Sequence, residues 1–290
     1  MEYPRRMLID RINMVTALAG FHADLTRFQA QLNQINTLPV PDHDTGTNLL
    51  ATVAQILAAA SPDPIRAGSP GMYETFGNSG MLIGAWLEGA EAVIGVPAPI
   101  GQMAVTAASE VKRTIVSPRP GLFLDYALRS ASLLSRVDPG FLHEGAAVIA
   151  DDLRMLLVET AAAASDLHQL VDSGSAGLYF LLKRLLSAGP DSADEVLFEP
   201  LAHEPSATLS ANGELVEFLF AVENSSRNQI LAMLSQFSVE SVMLGRGLRG
   251  GIKVHCHGPG RMTVRMQEAL AACSTVTDFR VRQIYREDQP

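Results

Sequence analysis

Pro39-Val40-Pro41-Asp42-His43-Asp44-Thr45-Gly46-Thr47-Asn48 is the stretch on which the fold of this chain turns. Pro39 and Pro41 hold the backbone extended and cannot continue a helix, whereas Thr45 or Thr47 can cap a helix starting near Asn48. Before the stretch, residues 7–36 carry apolar side chains at spacings of three and four: Leu8, Ile12, Val15, Leu18, Phe21, Leu25, Phe28 and Leu32, with Gly20 a kink or a close contact. After it, Leu49, Leu50, Val53, Ile56 and Leu57 continue the pattern to about Ala60. Two helices are thus joined by a stiff turn that sets Asp42 and Asp44 at a helix N-terminus. Two carboxylates there suit a hard divalent cation, and the open N–H groups and positive dipole end beside them suit phosphate oxygens. The same composition also forms an ordinary Asx-rich turn that binds nothing.

Moving outward, residues 61–75 read as a loop rich in Pro and Gly. Gly77-Asn78-Ser79-Gly80 then opens a helix over Met81–Ile94, either as a simple cap or as a nest of N–H groups for an anion. Helices follow over 100–115 and 121–136, split by Ser117-Pro118-Arg119-Pro120. An amphipathic helix spans 141–164, and Val171-Asp172-Ser173-Gly174 precedes the last helix, 176–186. Almost no period-two alternation occurs before residue 210, so the expectation is an all-α bundle of seven segments. All three polar motifs fall at helix starts. Alternate helix starts share an end in an up-and-down bundle, so the three loops can meet at one rim.

Beyond the Pro-rich linker 189–210, where 195–198 reads as a short strand, the chain changes character. Residues 215–222, 241–245, 252–257 and 277–285 read as strands, and 226–237 and 260–272 as helices. The order βαββαβ predicts a small ferredoxin-like domain over 211–290 behind a helical domain over 1–188. Within it, His255-Cys256-His257 places both histidines on one face of a strand and Cys256 on the other. His255 and His257 are candidate zinc ligands; two ligands do not complete a site, and a surface or interface role is the alternative. His143 and His168 read as polar-face or boundary residues.

At 290 residues, 47% of them hydrophobic, the chain can fill one large core or two ordinary ones. Its net charge is −9, with all of the acidic excess before residue 206 and the remainder nearly neutral, and its only lysines are Lys112, Lys183 and Lys253. No basic stripe points to nucleic acid, and no Gly-x4-Gly-Lys-Ser/Thr loop is present. There is neither a long apolar run nor a signal-peptide core near the start, and Cys256 and Cys273 form no disulfide framework. A cytoplasmic protein is expected.

Pro-Val-Pro-Asp-x-Asp-Thr-Gly-Thr-Asn resembles the nucleotide-site motif of the fatty acid kinase A family, itself similar to the L subunit of dihydroxyacetone (glycerone) kinase. Gly77-Asn78-Ser79-Gly80, Val171-Asp172-Ser173-Gly174 and the stretch Lys253 to Gly260 resemble that family's later motifs, in order, and the chain ends where the family adds a C-terminal domain. The resemblance implies an antiparallel helical barrel with ATP or ADP and magnesium at one mouth, followed by the family's middle domain. Asp42 and Asp44 would bind two magnesium ions bridging the nucleotide phosphates and carry the catalysis. Thr45, Gly46, Thr47, Asn48, Asn78, Ser79, Gly80, Asp172 and Gly174 would contact the nucleotide, with Asn36 as an added metal or water contact. The acceptor would be a fatty acid carboxylate presented by a separate acyl-binding protein; a homodimer is a further possibility.

The sequence departs from the family at several points. His43 stands where the family usually has Gly, Ile100-Gly101-Gln102 where it has Glu-Gly-Thr, Ser175-Ala176 where it tends to have Gly-Lys, and Leu215 at the position of a cysteine that accompanies the histidine pair. The alternatives are therefore a nucleotide-binding regulatory protein without transfer activity, or a dihydroxyacetone kinase L-type subunit.

Overall fold

The computed structural model describes residues 8–36, 42–59, 77–137, 142–162, 171–187, 194, 197–198, 215–247, 251–273 and 275–285. The expected loop 61–75, the linker apart from residues 194 and 197–198, and the side chains of His143 and His168 lie outside these residues. What is described is mostly helical, with a small antiparallel sheet.

Helix α1 (Arg11–Gln34) starts at Asp10, whose carboxylate accepts from the Asn13 N–H while Asn13 Oδ1 accepts from the Asp10 N–H. Its apolar stripe buries Leu18, Phe21, Leu25, Phe28 and Leu32. Among the described residues six helices follow: α2 (Thr45–Ala58), α3 (Asn78–Ile94), α4 (Ile100–Thr114), α5 (Phe123–Arg136), α6 (Leu142–Ala162) and α7 (Ser173–Leu185). Each packs on the next, and α7 returns onto α1, so the helices close a ring. Short strands β1 (Leu8–Ile9) and β2 (Ala98–Pro99) pair antiparallel at the starts of α1 and α4.

The closure of α7 on α1 has a clear cause. Phe28 and Phe180 stack with centroids 5.1 Å apart, and Phe198 lies 5.3 Å from Phe28. Rings buried this way are each worth about 1.5–3 kcal/mol. Arg184 on α7 donates two hydrogen bonds to Asp24 on α1, at 2.6 and 2.7 Å. The guanidinium arm crosses Gly20, where a Cβ would stand 2.8 Å from Arg184 Cδ, so Gly20 is a close contact and not a kink. Leu197 and Phe198, expected in a strand, instead form a helical turn, because Phe198 is held in this aromatic stack.

The sheet comprises β3 (Leu215–Glu223), β4 (Glu240–Arg246), β5 (Ile252–Pro259) and β6 (Thr275–Tyr285), in the order β4-β5-β3-β6 with all neighbours antiparallel. Helices α8 (Arg227–Leu234) and α9 (Thr263–Cys273) complete the unit. Strand alternation sends Val216, Phe218, Phe220, Val254 and Cys256 into a core with Ile230, Met266 and Leu270. Glu217, His255 and His257 point the other way, toward the ends of the ring helices. The edge of β4 meets the chain after α4: the Val116 N–H donates to the Val242 carbonyl at 3.2 Å, and Met243 joins the helical core. No helix among the described residues is long and apolar enough to cross a membrane.

Candidate functional site

The three polar motifs meet. Asp42, Asp44 and Thr45, then Asn78 and Ser79, then Asp172, Ser173 and Gly174 all line a cavity of about 350 Å³ between the helix ends and β4. That volume falls in the range of small-molecule sites. The first residues of α2, α3, α5 and α7 all face it. The start of α3 carries no side-chain cap, so its N–H groups and positive dipole end remain available to an anion, whereas the Phe123 N–H at the start of α5 is already taken by Asp172.

The motif residues sit further into their helices than the sequence suggested. Helix α2 begins at Thr45, α3 at Asn78 and α7 at Ser173, so the polar residues form the first turns themselves. Neither Thr45 nor Thr47 is the cap of α2. Asp44 holds the N-cap position, but its carboxylate turns aside: Oδ1 accepts from Asn48 Nδ2 at 2.7 Å, and Oδ2 pairs with Arg282. Asp42 accepts from Asn36 Nδ2. Ser173, within the third motif, donates to Asn36 Oδ1 at 3.2 Å and shares a hydrogen bond with the Thr45 hydroxyl at 2.9 Å, tying α7 to α2 and to the end of α1. Asp172 caps α7, accepting from the Ser175 N–H at 2.8 Å and Ser175 Oγ at 2.6 Å.

Burial pushes Asp42 up to about 7, with Asp44 and Glu217 adding to the rise; Arg282 and the Asn36 hydrogen bond act against it. Burial also raises Asp172, opposed by its hydrogen bonds from Ser175 and Phe123. The Asn78 Oδ1 atom is buried without a partner among the described residues, an orphan acceptor beside the cavity.

Four expected contacts do not line the cavity. Thr47 is exposed, and its hydroxyl accepts from Gln29 Nε2 and Asn33 Nδ2 on α1. Gly46 lies against α1, where a Cβ would meet the Gln29 carbonyl at 2.4 Å. Gly80 faces a separate small recess toward Gly245 and Lys253. Asn48 acts one step back, holding Asp44 and packing beneath Gly77. The departures from the family also fall outside the lining. Ile100, Gly101 and Gln102 start α4 beside β2, whereas the end of α4 contributes Ile115 to the cavity. His43 has φ 52°, a left-handed conformation that favours glycine, and its Nδ1 lies 3.1 Å from the Asn33 carbonyl oxygen.

The histidines are not at the surface. His255 and His257 are fully buried, their rings edge-on at 4.8 Å, and Glu217 stands directly across from His257 in the β3–β5 register. Ligand atoms of Glu217, His255 and His257 lie within 4.8 Å of one another. Neither ring nitrogen of His257 has a hydrogen-bond partner among the described residues, and burial lowers its pKa to about 3, which keeps it neutral and able to ligate. This group could hold a metal ion, with Glu217 as the third donor that Leu215 does not supply.

Glu217 also connects the two regions. Its Oε1 accepts from the Gly77 N–H at 2.8 Å and pairs with His255 Nε2, and its Oε2 lies 2.6 Å from Arg282 Nε. Burial alone would raise this carboxyl, but the His255 hydrogen bond and the charges of His255 and Arg282 outweigh it and hold Glu217 at about 2. A run of Asp44, Arg282, Glu217 and His255 therefore joins the cavity to the histidine cluster. Sequence reasoning missed both Glu217 and Arg282. A glutamate inside the otherwise apolar run of the strand Leu215–Glu223 was the available signal, since a buried carboxylate requires partners.

No protein-family model matches the chain, and no curated protein matches it.

Proposed function

We propose that the cavity binds a magnesium–nucleotide complex and that the protein is an ATP-dependent phosphotransferase of the fatty acid kinase type. The convergence of three sequence-distant motifs on one cavity, at four helix N-termini, supports this most directly. Carboxylates and helix starts together suit a cation-bound polyphosphate better than a neutral ligand. The closed ring of helices fits the helical barrel of that family, and the strand order β4-β5-β3-β6 with its βαββαβ connections fits a ferredoxin-like middle domain.

In this proposal Asp42 and Asp44 would hold the magnesium, which would supply charge neutralisation for the phosphates. Asn48 and Asn36 fix the two carboxylates, and the N–H groups of Asn78 and Ser79 receive phosphate oxygens. The Ser173–Thr45–Asn36 hydrogen bonds keep the three loops in register. The acceptor is a fatty acid carboxylate carried by a separate acyl-binding partner; its oxygen attacks the γ-phosphorus and ADP leaves, giving an acyl phosphate. The Glu217–His255–His257 group is a candidate metal site that zinc would suit, and the protein works in the cytoplasm. A second reading, a nucleotide-binding regulator without transfer activity, is favoured by one observation: Asp44 is already paired with Arg282.

Incubation with ATP, magnesium and an acyl-loaded partner, followed by hydroxylamine trapping, tests the activity. Acyl hydroxamate that disappears in Asp42→Asn supports transfer. Nucleotide binding without hydroxamate, over a panel of acyl-binding proteins, leaves the regulator.

A further inference from the structure

The ion pair that links the sheet to the first motif bears on how much positive charge the cavity takes. Arg282 lies on β6 directly across from Glu217. Its guanidinium is clamped, with Nε on Glu217 Oε2 at 2.6 Å and Nη2 on Asp44 Oδ2. Asp44 is in turn committed on both oxygens, because Oδ1 accepts from Asn48 at 2.7 Å. A residue at a helix N-cap ordinarily spends its side chain on the helix N–H groups; Asp44 makes no such bond. Asn48, on the helix side, and Arg282, on the sheet side, fix where this carboxylate points.

We propose that Arg282 is a positioning residue of the Asp42–Asp44 site that supplies one of its positive charges, so that the two carboxylates take one divalent cation and not two. This rests on the cavity being a cation–nucleotide site. Asp44 brings to any ion a carboxylate that already carries a cationic partner. A second divalent ion against Asp44 Oδ2 would stand beside a guanidinium at near-contact distance, partly screened from water, where like charges repel far more than in bulk solvent. One ion shared by Asp42 and Asp44, on the side away from Arg282, avoids that contact. The guanidinium also spans the two parts of the fold, so the charge reaches the site only when the sheet is seated on the helix ends.

The test counts manganese ions, as a spin-active divalent probe, bound to the full chain with saturating ADP by electron paramagnetic resonance. The Asp42→Asn variant subtracts ions held elsewhere, including any on the histidine cluster. The expected result is one Asp42-dependent manganese per wild-type chain and per Arg282→Lys chain. Arg282→Gln is expected to gain a second ion, or to bind the first at least tenfold more tightly. Two Asp42-dependent ions in the wild type overturn the proposal, and that count stands whether or not Arg282→Gln folds. A folded Arg282→Gln chain matching wild type in number and affinity overturns it as well. No Asp42-dependent ion in the wild type is a separate result: it removes the cation–nucleotide reading of the cavity, and this proposal with it.

Discussion

Replacing Glu217 with Gln tests whether one buried carboxylate joins the sheet to the helical ring. The glutamate accepts from the Gly77 N–H and His255 on one oxygen, and its other oxygen is ion-paired with Arg282. The amide has the same shape but only one acceptor, so its NH2 group faces either the His255 and Gly77 donors or the Arg282 guanidinium. Removing one member of a buried pair costs about 3–5 kcal/mol. Arg282 is 35% exposed while Glu217 is wholly buried, so water reclaims part of the guanidinium and about 2–3 kcal/mol remains. For a chain of this size that lowers Tm by roughly 4–12 °C in circular dichroism melts at pH 7. Glu217 is held near 2, below its ordinary 4.5, so its contribution is present above about pH 4.5 and is lost as pH falls toward 2. The deficit of the variant should therefore shrink in acid. A variant melting within about 1 °C of wild type at pH 7, or a deficit unchanged between pH 7 and pH 3, would refute this account of Glu217.

Three further outcomes are expected. Gly77→Ala places a side chain at φ 95° with its Cβ 1.9 Å from Asn48 Nδ2, so it should cost at least about 1–2 kcal/mol and weaken magnesium–ADP binding by displacing Asn48 from Asp44; unchanged affinity by calorimetry would contradict this. Asp42, raised from 3.8 to about 7, costs the folded state increasing stability as pH climbs between those values, so Asp42→Asn should match wild type in thermal melts near pH 4 and exceed it at pH 8. Magnesium binding near pH 6.5 should correspondingly release a proton in wild type and none in the variant, measured by calorimetry in buffers of different ionisation enthalpy. Purified protein should carry about one transition-metal ion per chain by elemental analysis, and His257→Gln should lose it; a metal content equal in both would remove the histidine cluster as a site.

The helical half was readable because a three-and-four spacing survives any tertiary arrangement: the stripe from Leu18 to Leu32 is the face that α1 buries. The alternation of β3 and β5 likewise placed Cys256 in the core and both histidines on the opposite face. Helix starts were misjudged by several residues because Asp44, Asn78 and Ser173 look like loop residues in sequence, and only the cavity they share explains polar groups in a first turn. Phe198 was misread because its stacking partners, Phe28 and Phe180, are distant in sequence. The candidate site was legible in its three motifs but not in its wall. Arg282 meets Asp44 across 238 positions, and no local pattern records a contact of that range.

The central claim is that Asp42 and Asp44 form a magnesium-dependent nucleotide site, and a calorimetric titration of ADP and ATP into wild type and Asp42→Ala/Asp44→Ala, with and without magnesium, tests it most directly. The account expects binding that requires magnesium and disappears in a double variant whose circular dichroism spectrum remains native. Failure of wild type to bind either nucleotide, or equal binding by the double variant, would contradict it.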